Sequence, residues 1–309
     1  MLKRSRFIGL TIVLLLPILS IAFAQEKVMT PQELIAAHLK SIGSPEALKA
    51  LQSRVLSGLA AVKFVQGASG AWNDGAFLMA SEANKVGLVM QFGALEYPGE
   101  RFGFDGKNVV VGNMKPGQRS PVADFIYRHN SFVKEGLLGG TLSLAWPFLN
   151  SKEKQAELKV GNGKLDGRPV YELEYRKKNL GDVRVKLIFD AENFHHLRSE
   201  YKVTVKSDMT ATRNAVGSVT ILHTERGDNE MAPNATIMDG VADSNYMLVE
   251  KFDNYQAAGG LTLPYSYTIE YELQGQGTSF VANWAMRASG KFTNNGQIDP
   301  SFFNSISIK

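Results

Sequence analysis

The sequence predicts a mainly β protein with some α-helix (α+β), built on an antiparallel sheet that has one buried face. From about residue 54 onwards, apolar and polar residues alternate with a period of two, as when Tyr171, Leu173 and Tyr175 alternate with charged residues. In a strand, this spacing buries one side and leaves the other in water. Glycine-containing pairs such as Asp105-Gly106 and Asn162-Gly163 separate the segments at hairpin spacing. The pattern predicts about eleven or twelve strands.

Residues 1–24 have the features of a cleavable secretory signal. Basic residues at positions 3, 4 and 6 precede an uncharged apolar run that ends in Ala22-Phe23-Ala24. An uncleaved membrane anchor is the alternative, but Pro17 interrupts the run, which is near the lower length limit for a membrane span. We expect cleavage after Ala24 and export of the mature protein.

Charge and composition exclude several classes of function. The chain has 34 Lys and Arg and 30 Asp and Glu, and removal of residues 1–24, with three basic and no acidic side chains, leaves 31 basic against 30 acidic. Positively and negatively charged side chains alternate along this nearly neutral chain, which is typical of a solvated surface. We therefore expect no nucleic-acid partner. There is no cysteine, which excludes disulfides, thiolate metal sites and cysteine nucleophiles.

Helical patterns occur at two places, one before the strands and one between them. Thr30-Pro31-Gln32-Glu33 has a cap residue, a proline at the first helical position and a glutamate three residues after the cap, and Ser44-Pro45-Glu46 begins a second short helix. Between residues 121 and 150 an apolar segment lacks the period of two, and we interpret it as two short helices joined at Gly139-Gly140. The glycine pair also permits a movable lid. We predict that residues 25–309 form one domain with this helical insertion.

The predicted inner face is rich in tyrosine. Its five tyrosines are Tyr171, Tyr175, Tyr265, Tyr267 and Tyr271. A buried hydroxyl needs a hydrogen-bond partner. The rings therefore either border a partly wet or ligand-filled concavity, or lie near the rim with their hydroxyls in solvent.

No catalytic motif is present among HExxH, GxSxG, the P-loop and GxGxxG. Asp190, Glu192, His195 and His196 are the best constellation for a metal ion, but neighbouring residues of a strand point to opposite faces. Acidic residues between Asp228 and Asn245 could hold calcium, although their spacing fits no EF-hand. We expect neither a cofactor nor enzymatic activity.

Several patches together resemble the LolA/LolB-like periplasmic carriers, in particular the outer-membrane lipoprotein-sorting proteins. These patches are residues 33–43, 47–51, 104–107, 171–175, 187–190 and 260–264. The resemblance implies a curved, incomplete β-barrel whose concave apolar face is covered by short helices. It also implies a periplasmic location and the binding of acyl chains. We assign the functional arginine of that family to no position in this chain.

We therefore predict a non-enzymatic periplasmic carrier that binds the acyl chains of lipoproteins or other lipids, with peripheral or transient membrane contact. An acyl chain gains about 0.8 kcal/mol for each buried methylene. The predicted ligand-binding residues are Met79, Met90, Phe92, Leu137, Leu142, Trp146, Phe148, Tyr171 and Tyr267.

Two alternatives stay open. One is an envelope protein-interaction module with a filled core, which holds a protein partner through the sheet edge or the insertion. The other is an envelope hydrolase or metal enzyme centred on His195 or His196.

Overall fold

The computed structural model describes residues 29–206, 209–213, 219–223, 236–238, 243–275, 278–289 and 292–308. The predicted signal segment and most of the candidate calcium loop lie outside the described residues. The α-helices are α1 (Pro31–Ile42), α2 (Pro45–Lys49), α3 (Pro121–Arg128) and α4 (Ser131–Lys134), and short 3-10 turns span Gly140–Leu142, Lys152–Gln155, Lys178–Leu180 and Pro300–Phe303. In the part of the chain that is described, no helix is long and apolar enough to cross a bilayer.

Helix α1 begins where the sequence predicts. The Thr30 hydroxyl accepts a hydrogen bond from the Glu33 amide at 3.2 Å, and the Glu33 carboxylate accepts one from the Thr30 amide at 3.0 Å. This reciprocal capping box satisfies amides that have no partner within the helix.

The strands follow α2 and continue almost to the end of the chain. They are β1 (Ser53–Gln66), β2 (Gly70–Glu82), β3 (Lys85–Gln91), β4 (Gly99–Phe104), β5 (Val109–Val111), β6 (Glu157–Leu165), β7 (Arg168–Arg176), β8 (Arg184–Asp190), β9 (His196–Val205), β10 (Met209–Arg213), β11 (Val219–His223), β12 (Thr236–Met238), β13 (Ser244–Ala258), β14 (Leu261–Gly275), β15 (Thr278–Ala288) and β16 (Thr293–Asn294). Their number exceeds the eleven or twelve expected, because several of the added strands are only two to five residues long.

Thirteen of the described strands form one antiparallel sheet. Its order is β5-β4-β3-β2-β1-β15-β14-β13-β9-β8-β7-β6, with β16 paired to β1, while β11, β10 and β12 form a separate small sheet. The edge strands β5 and β6 are not paired with each other, so the sheet is open. The predicted fold class, a curved antiparallel sheet with helices over its concave apolar face, is confirmed.

The connection between the two edge strands crosses the concave face. The chain leaves β5 at one edge, runs through α3 and α4, and begins β6 at the opposite edge. Residues 120–149, here called the insertion, bury most of their apolar side chains against both halves of the sheet. The Phe132 ring stacks on Tyr201 of β9 with centroids 4.2 Å apart, and Phe125 packs on Tyr271 of β14 at 5.4 Å. The sheet therefore curves around this segment.

The two helices of the insertion are not joined at the glycine pair, and this detail of the sequence interpretation is wrong. Both α3 and α4 precede Gly139, and a 3-10 turn and further turns follow it. Helix α4 ends at Lys134, and Gly139 and Gly140, with φ values of 78° and 45°, begin the 3-10 turn that follows. Pro147 then disfavours a helix in the residues before it.

The carboxyl-terminal residues 299–308, here called the C-terminal strap, cover part of the outer face. The alternation in β3 predicts that Gly87 and Val89 face water, but both are buried. The reason is that the Phe302 ring packs over Gly87. The Arg101 guanidinium holds the strap by donating hydrogen bonds to the carbonyls of Phe302 at 2.6 Å and Ser305 at 2.8 Å.

A glycine-to-alanine pair tests the close approach of the strap. A Cβ added at Gly103 would lie 2.5 Å from the Phe303 carbonyl oxygen, whereas one at Gly161 would meet nothing within 4 Å. We expect Gly103→Ala to lower the free energy of unfolding by about 1–3 kcal/mol, and Gly161→Ala to change it by less than about 0.5 kcal/mol. Urea denaturation of both variants measures this. Equal effects would contradict the described packing of the strap.

Candidate functional site

The candidate site is the interface between the insertion and the concave face of the sheet. Eight of the nine predicted ligand-binding residues lie there, each no more than 8% exposed, and all eight belong to one continuous hydrophobic core. They are Met79, Met90, Phe92, Leu137, Leu142, Trp146, Phe148 and Tyr267. Tyr171 is half-buried at the border of this core, where its ring stacks on Phe194.

These side chains pack against one another. The Trp146 ring lies 4.9 Å from both the Phe148 ring and the His196 ring, and the Met79 side chain fills the space beside Gly139. Grooves of about 200 to 500 Å³ elsewhere among the described residues are lined by other side chains. Access to the apolar residues therefore requires that the insertion move.

A buried arginine contacts the turn that contains the glycine pair. We call residues 139–142 the glycine turn. The Arg54 guanidinium, 1% exposed, donates hydrogen bonds to the carbonyls of Thr141 at 3.0 Å and Leu142 at 3.2 Å, and to the Asn294 side chain at 3.3 Å. Among the described residues, no carboxylate lies within 4.0 Å of Arg54. Burial lowers the pKa of Arg54 to about 10.

A buried glutamate holds the other end of the glycine turn. The Glu250 carboxyl is fully buried and accepts hydrogen bonds from the Gly139 amide at 2.7 Å and from the Tyr267 hydroxyl. Burial raises its pKa to about 7.

The surroundings of Tyr201 are consistent with a protonated Glu250. The Tyr201 hydroxyl lies 2.6 Å from Glu250 Oε2 and 2.9 Å from the Leu137 carbonyl oxygen. A hydroxyl has one proton and cannot donate to both acceptors fully. If the carboxyl is protonated, Glu250 donates to Tyr201 and Tyr201 donates to Leu137, so each group is satisfied.

Polar contacts also fix the beginning, the middle and the end of the insertion. Glu100 accepts hydrogen bonds from Ser120, the cap of α3, and from Tyr97, each at 2.8 Å. The Ser81 hydroxyl accepts one from the Leu144 amide at 3.0 Å. In the middle, Glu135 accepts hydrogen bonds from Tyr175 of β7 at 2.8 Å and from two residues that follow this strand, Lys177 at 2.6 Å and Asn179 at 3.1 Å. An apolar interface alone lacks such directional contacts.

Two buried histidines lie beneath the glycine turn. Thr141 Oγ1 is 3.4 Å from His38 Nε2 and 3.5 Å from His196 Nδ1. Burial lowers the pKa of His38 to about 4, and burial together with His38 lowers the pKa of His196 well below its usual value. Both histidines are therefore neutral near pH 7.

His195 and His196, the metal candidates of the sequence, are held by different neighbours. His195 is half-buried and stacks on Tyr255 with centroids 4.0 Å apart, while His196 is fully buried. Within the described ranges, no group of three or more histidine, aspartate or glutamate side chains is arranged around a common point for a metal.

Sequence reasoning missed Arg54, Glu100 and Glu250 as site residues. The alternation of apolar and polar residues along their strands could have indicated all three. Arg54 shares its phase with Leu56, and Glu250 lies between Leu248 and Phe252, all of which are buried. A charged residue in the apolar phase of a strand points into the core, where it needs a partner.

Known proteins match this chain by structure and not by sequence. No protein-family model and no curated protein matches it. A LolA superfamily protein from Nitrosomonas europaea is similar with 11% identity over 89% of this chain and 97% of that chain, at a TM-score of 0.40. A domain assigned as an outer membrane lipoprotein-sorting protein, from Vibrio parahaemolyticus, has 10% identity over 87% and 95%, at a TM-score of 0.38.

The MucA/MucB complex from Pseudomonas aeruginosa is a further match, with 10% identity over 85% of this chain and 99% of that chain, at a TM-score of 0.19. The resemblance that the sequence predicts is therefore also found among solved structures.

Replacement of Glu250 tests its protonation. A carboxyl whose pKa rises on folding, here from 4.5 to about 7, binds more protons in the folded state, so its contribution to stability falls as the pH rises through that window. We expect Glu250→Gln to gain up to about 3 kcal/mol of stability relative to wild type between pH 4 and pH 8. Urea denaturation of both proteins across this range measures the difference. A difference that stays constant with pH would contradict the assignment.

Proposed function

We propose that the protein is a non-catalytic carrier that binds the acyl chain of a lipid or lipoprotein on the concave face of its sheet. One observation carries the proposal: the insertion covers this apolar face together with helix α1, and two buried ionisable side chains without ionic partners hold its glycine turn. Movement of the insertion would expose an apolar surface for the acyl chain. Return of the insertion would displace the chain.

Water can replace the buried polar contacts of the glycine turn when the insertion opens. A buried donor or acceptor that is left without a partner costs about 1–3 kcal/mol. When the glycine turn moves away, Arg54 and Glu250 lose their hydrogen bonds to it but gain hydrogen bonds to water, so opening leaves neither group unsatisfied. Gly139 and Gly140, both at positive φ, give this turn the backbone freedom to change conformation.

An acyl chain can supply the remaining free energy. At about 0.8 kcal/mol for each methylene, a long chain gains on the order of 10 kcal/mol when fully buried. Such a ligand selects the open conformation because it interacts only with that conformation. The same dependence allows release, since an acceptor that binds the chain more tightly lets the insertion close.

The proposal includes a cellular location. The features of residues 1–24 support export with cleavage after Ala24, and the resemblance to periplasmic carriers supports the periplasm as the destination. Transient contact with a membrane would then accompany the uptake or delivery of the lipid. The mass of the mature protein, purified from the producing cell, tests the cleavage site.

A pair of arginine variants tests the opening of the insertion. Arg54 and Arg101 each donate to two backbone carbonyls, but Arg54 holds the glycine turn and Arg101 holds the C-terminal strap. We expect Arg54→Leu to raise the affinity for a fluorescent hexadecanoic acid about tenfold, because two hydrogen bonds of the closed state are lost. Arg101→Leu should leave the affinity unchanged.

Circular dichroism and thermal unfolding would establish that both variants fold. Native mass spectrometry, with lipid extraction from the same wild-type sample, would identify a chain acquired in the cell. The carrier proposal fails if folded wild type and Arg54→Leu both bind no acyl probe and no lipid accompanies the purified protein.

A second candidate function is an envelope protein-interaction module with a filled core. The observation that favours it is the close packing of the predicted ligand-binding residues in one core. In this case the insertion is a permanent part of the core, and the outer face or a sheet edge binds a protein. The absence of acyl binding in the experiment above, together with a stable complex with a defined envelope protein, would favour this function.

A further inference from the structure

A groove lies on the outer face of the sheet, on the side opposite to the insertion. It has a volume of about 500 Å³ and crosses β7, β8 and β9 next to the loop of residues 177–183. Outward-facing side chains of the three strands line it, and Leu180 and Val183 of the loop, both largely buried, border it. The aliphatic stems of its arginine and lysine side chains supply apolar surface.

Three cations stand in one row across the strands of this groove. Arg184 of β8 is directly opposite Lys202 of β9. On the other side, Tyr175 is opposite Val185, which places Arg176 of β7 beside Arg184. Neighbouring strands are about 4.8 Å apart, so the three residues are adjacent on the outer face. Like charges that face each other across strands are destabilising.

Arg184, the central cation of the row, is the one without an acidic neighbour. Arg176 pairs with Glu174 at 2.6 Å and Lys202 pairs with Glu200 at 2.9 Å. Among the described residues, no carboxylate lies within 4.0 Å of Arg184, whose side chain is exposed. An acidic group from another molecule would neutralise the repulsion around it.

We propose that this groove binds an acidic peptide segment of a partner protein, with a carboxylate of the segment paired to Arg184. The chain of such a segment follows the row of cations, and its apolar atoms contact the aliphatic stems of their side chains. The planar guanidinium suits a bidentate bond to a carboxylate.

The glutamates beside the row argue for a peptide and against an anionic membrane surface. The next row of the same groove has Glu174 and Glu200 on either side of Lys186, and Lys186 pairs with Glu172 at 2.6 Å. A flat layer of phosphates would meet both rows and be repelled by the glutamates of the second. A single extended chain can place its carboxylates on the cations alone. The proposal does not depend on acyl binding, because the three cations of the row are on the outer face of the sheet and the insertion covers the inner face.

Charge reversal at the centre of the row tests the proposal. The probe is a fluorescein-labelled peptide of alternating glutamate and alanine, compared with the same peptide that has glutamine for glutamate. We expect the wild-type protein to bind the glutamate peptide at least about tenfold more tightly at low salt. Arg184→Glu should remove this preference, and Arg287→Glu, on the exposed outer face of β15, should retain it.

Fluorescence anisotropy gives the affinities, and thermal unfolding shows that each variant folds. Equal binding of the two peptides to the wild type would overturn the proposal. So would an equal loss of binding in Arg184→Glu and Arg287→Glu. In a second arm, vesicles containing phosphatidylglycerol replace the peptide, and Arg184-dependent binding to vesicles but not to the glutamate peptide would assign the groove to lipid headgroups instead.

Discussion

The hydrogen bonds from Arg54 to the carbonyls of Thr141 and Leu142 fix the insertion, which covers the concave face of the sheet together with helix α1. The sheet is open, and its inner side chains are apolar, so without this cover they would face water. The connection between the two edge strands supplies the cover because it has to cross that face to reach the opposite edge. Topology thus brings the insertion to the site, and buried polar groups determine how firmly it stays there.

The ionisable groups in this interface change the stability of the folded state in opposite directions as the pH changes. Burial raises the pKa of Glu100 and Glu250 to about 7, so both favour the folded state at the acid end of the range. Burial lowers the pKa of His38 to about 4, so its contribution is lost as the pH falls below its ordinary value of 6.5. The interface therefore combines groups whose effects on stability partly cancel in weakly acidic solution.

The fold was largely predictable from the sequence, and the polar part of the site was not. The capping box at Thr30 and the alternation in β14 depend on local spacing, which one sequence displays directly. The strap over Gly87 and the contact between Arg54 and Thr141 join residues far apart in the chain, and no local pattern encodes such pairs. The charged residues in the apolar phase of β1 and β13 indicated that partners must exist, but not which ones.

Native-state hydrogen exchange of the wild-type protein tests the central claim, that the insertion opens while the sheet stays folded. The amides to follow are those of Gly139 and Leu144, which donate to Glu250 and Ser81 of the sheet, and that of Ile269 in the centre of β14. The account predicts that the first two exchange through a local opening with a smaller free energy and a weaker denaturant dependence than Ile269. Exchange of all three amides only by global unfolding would contradict it.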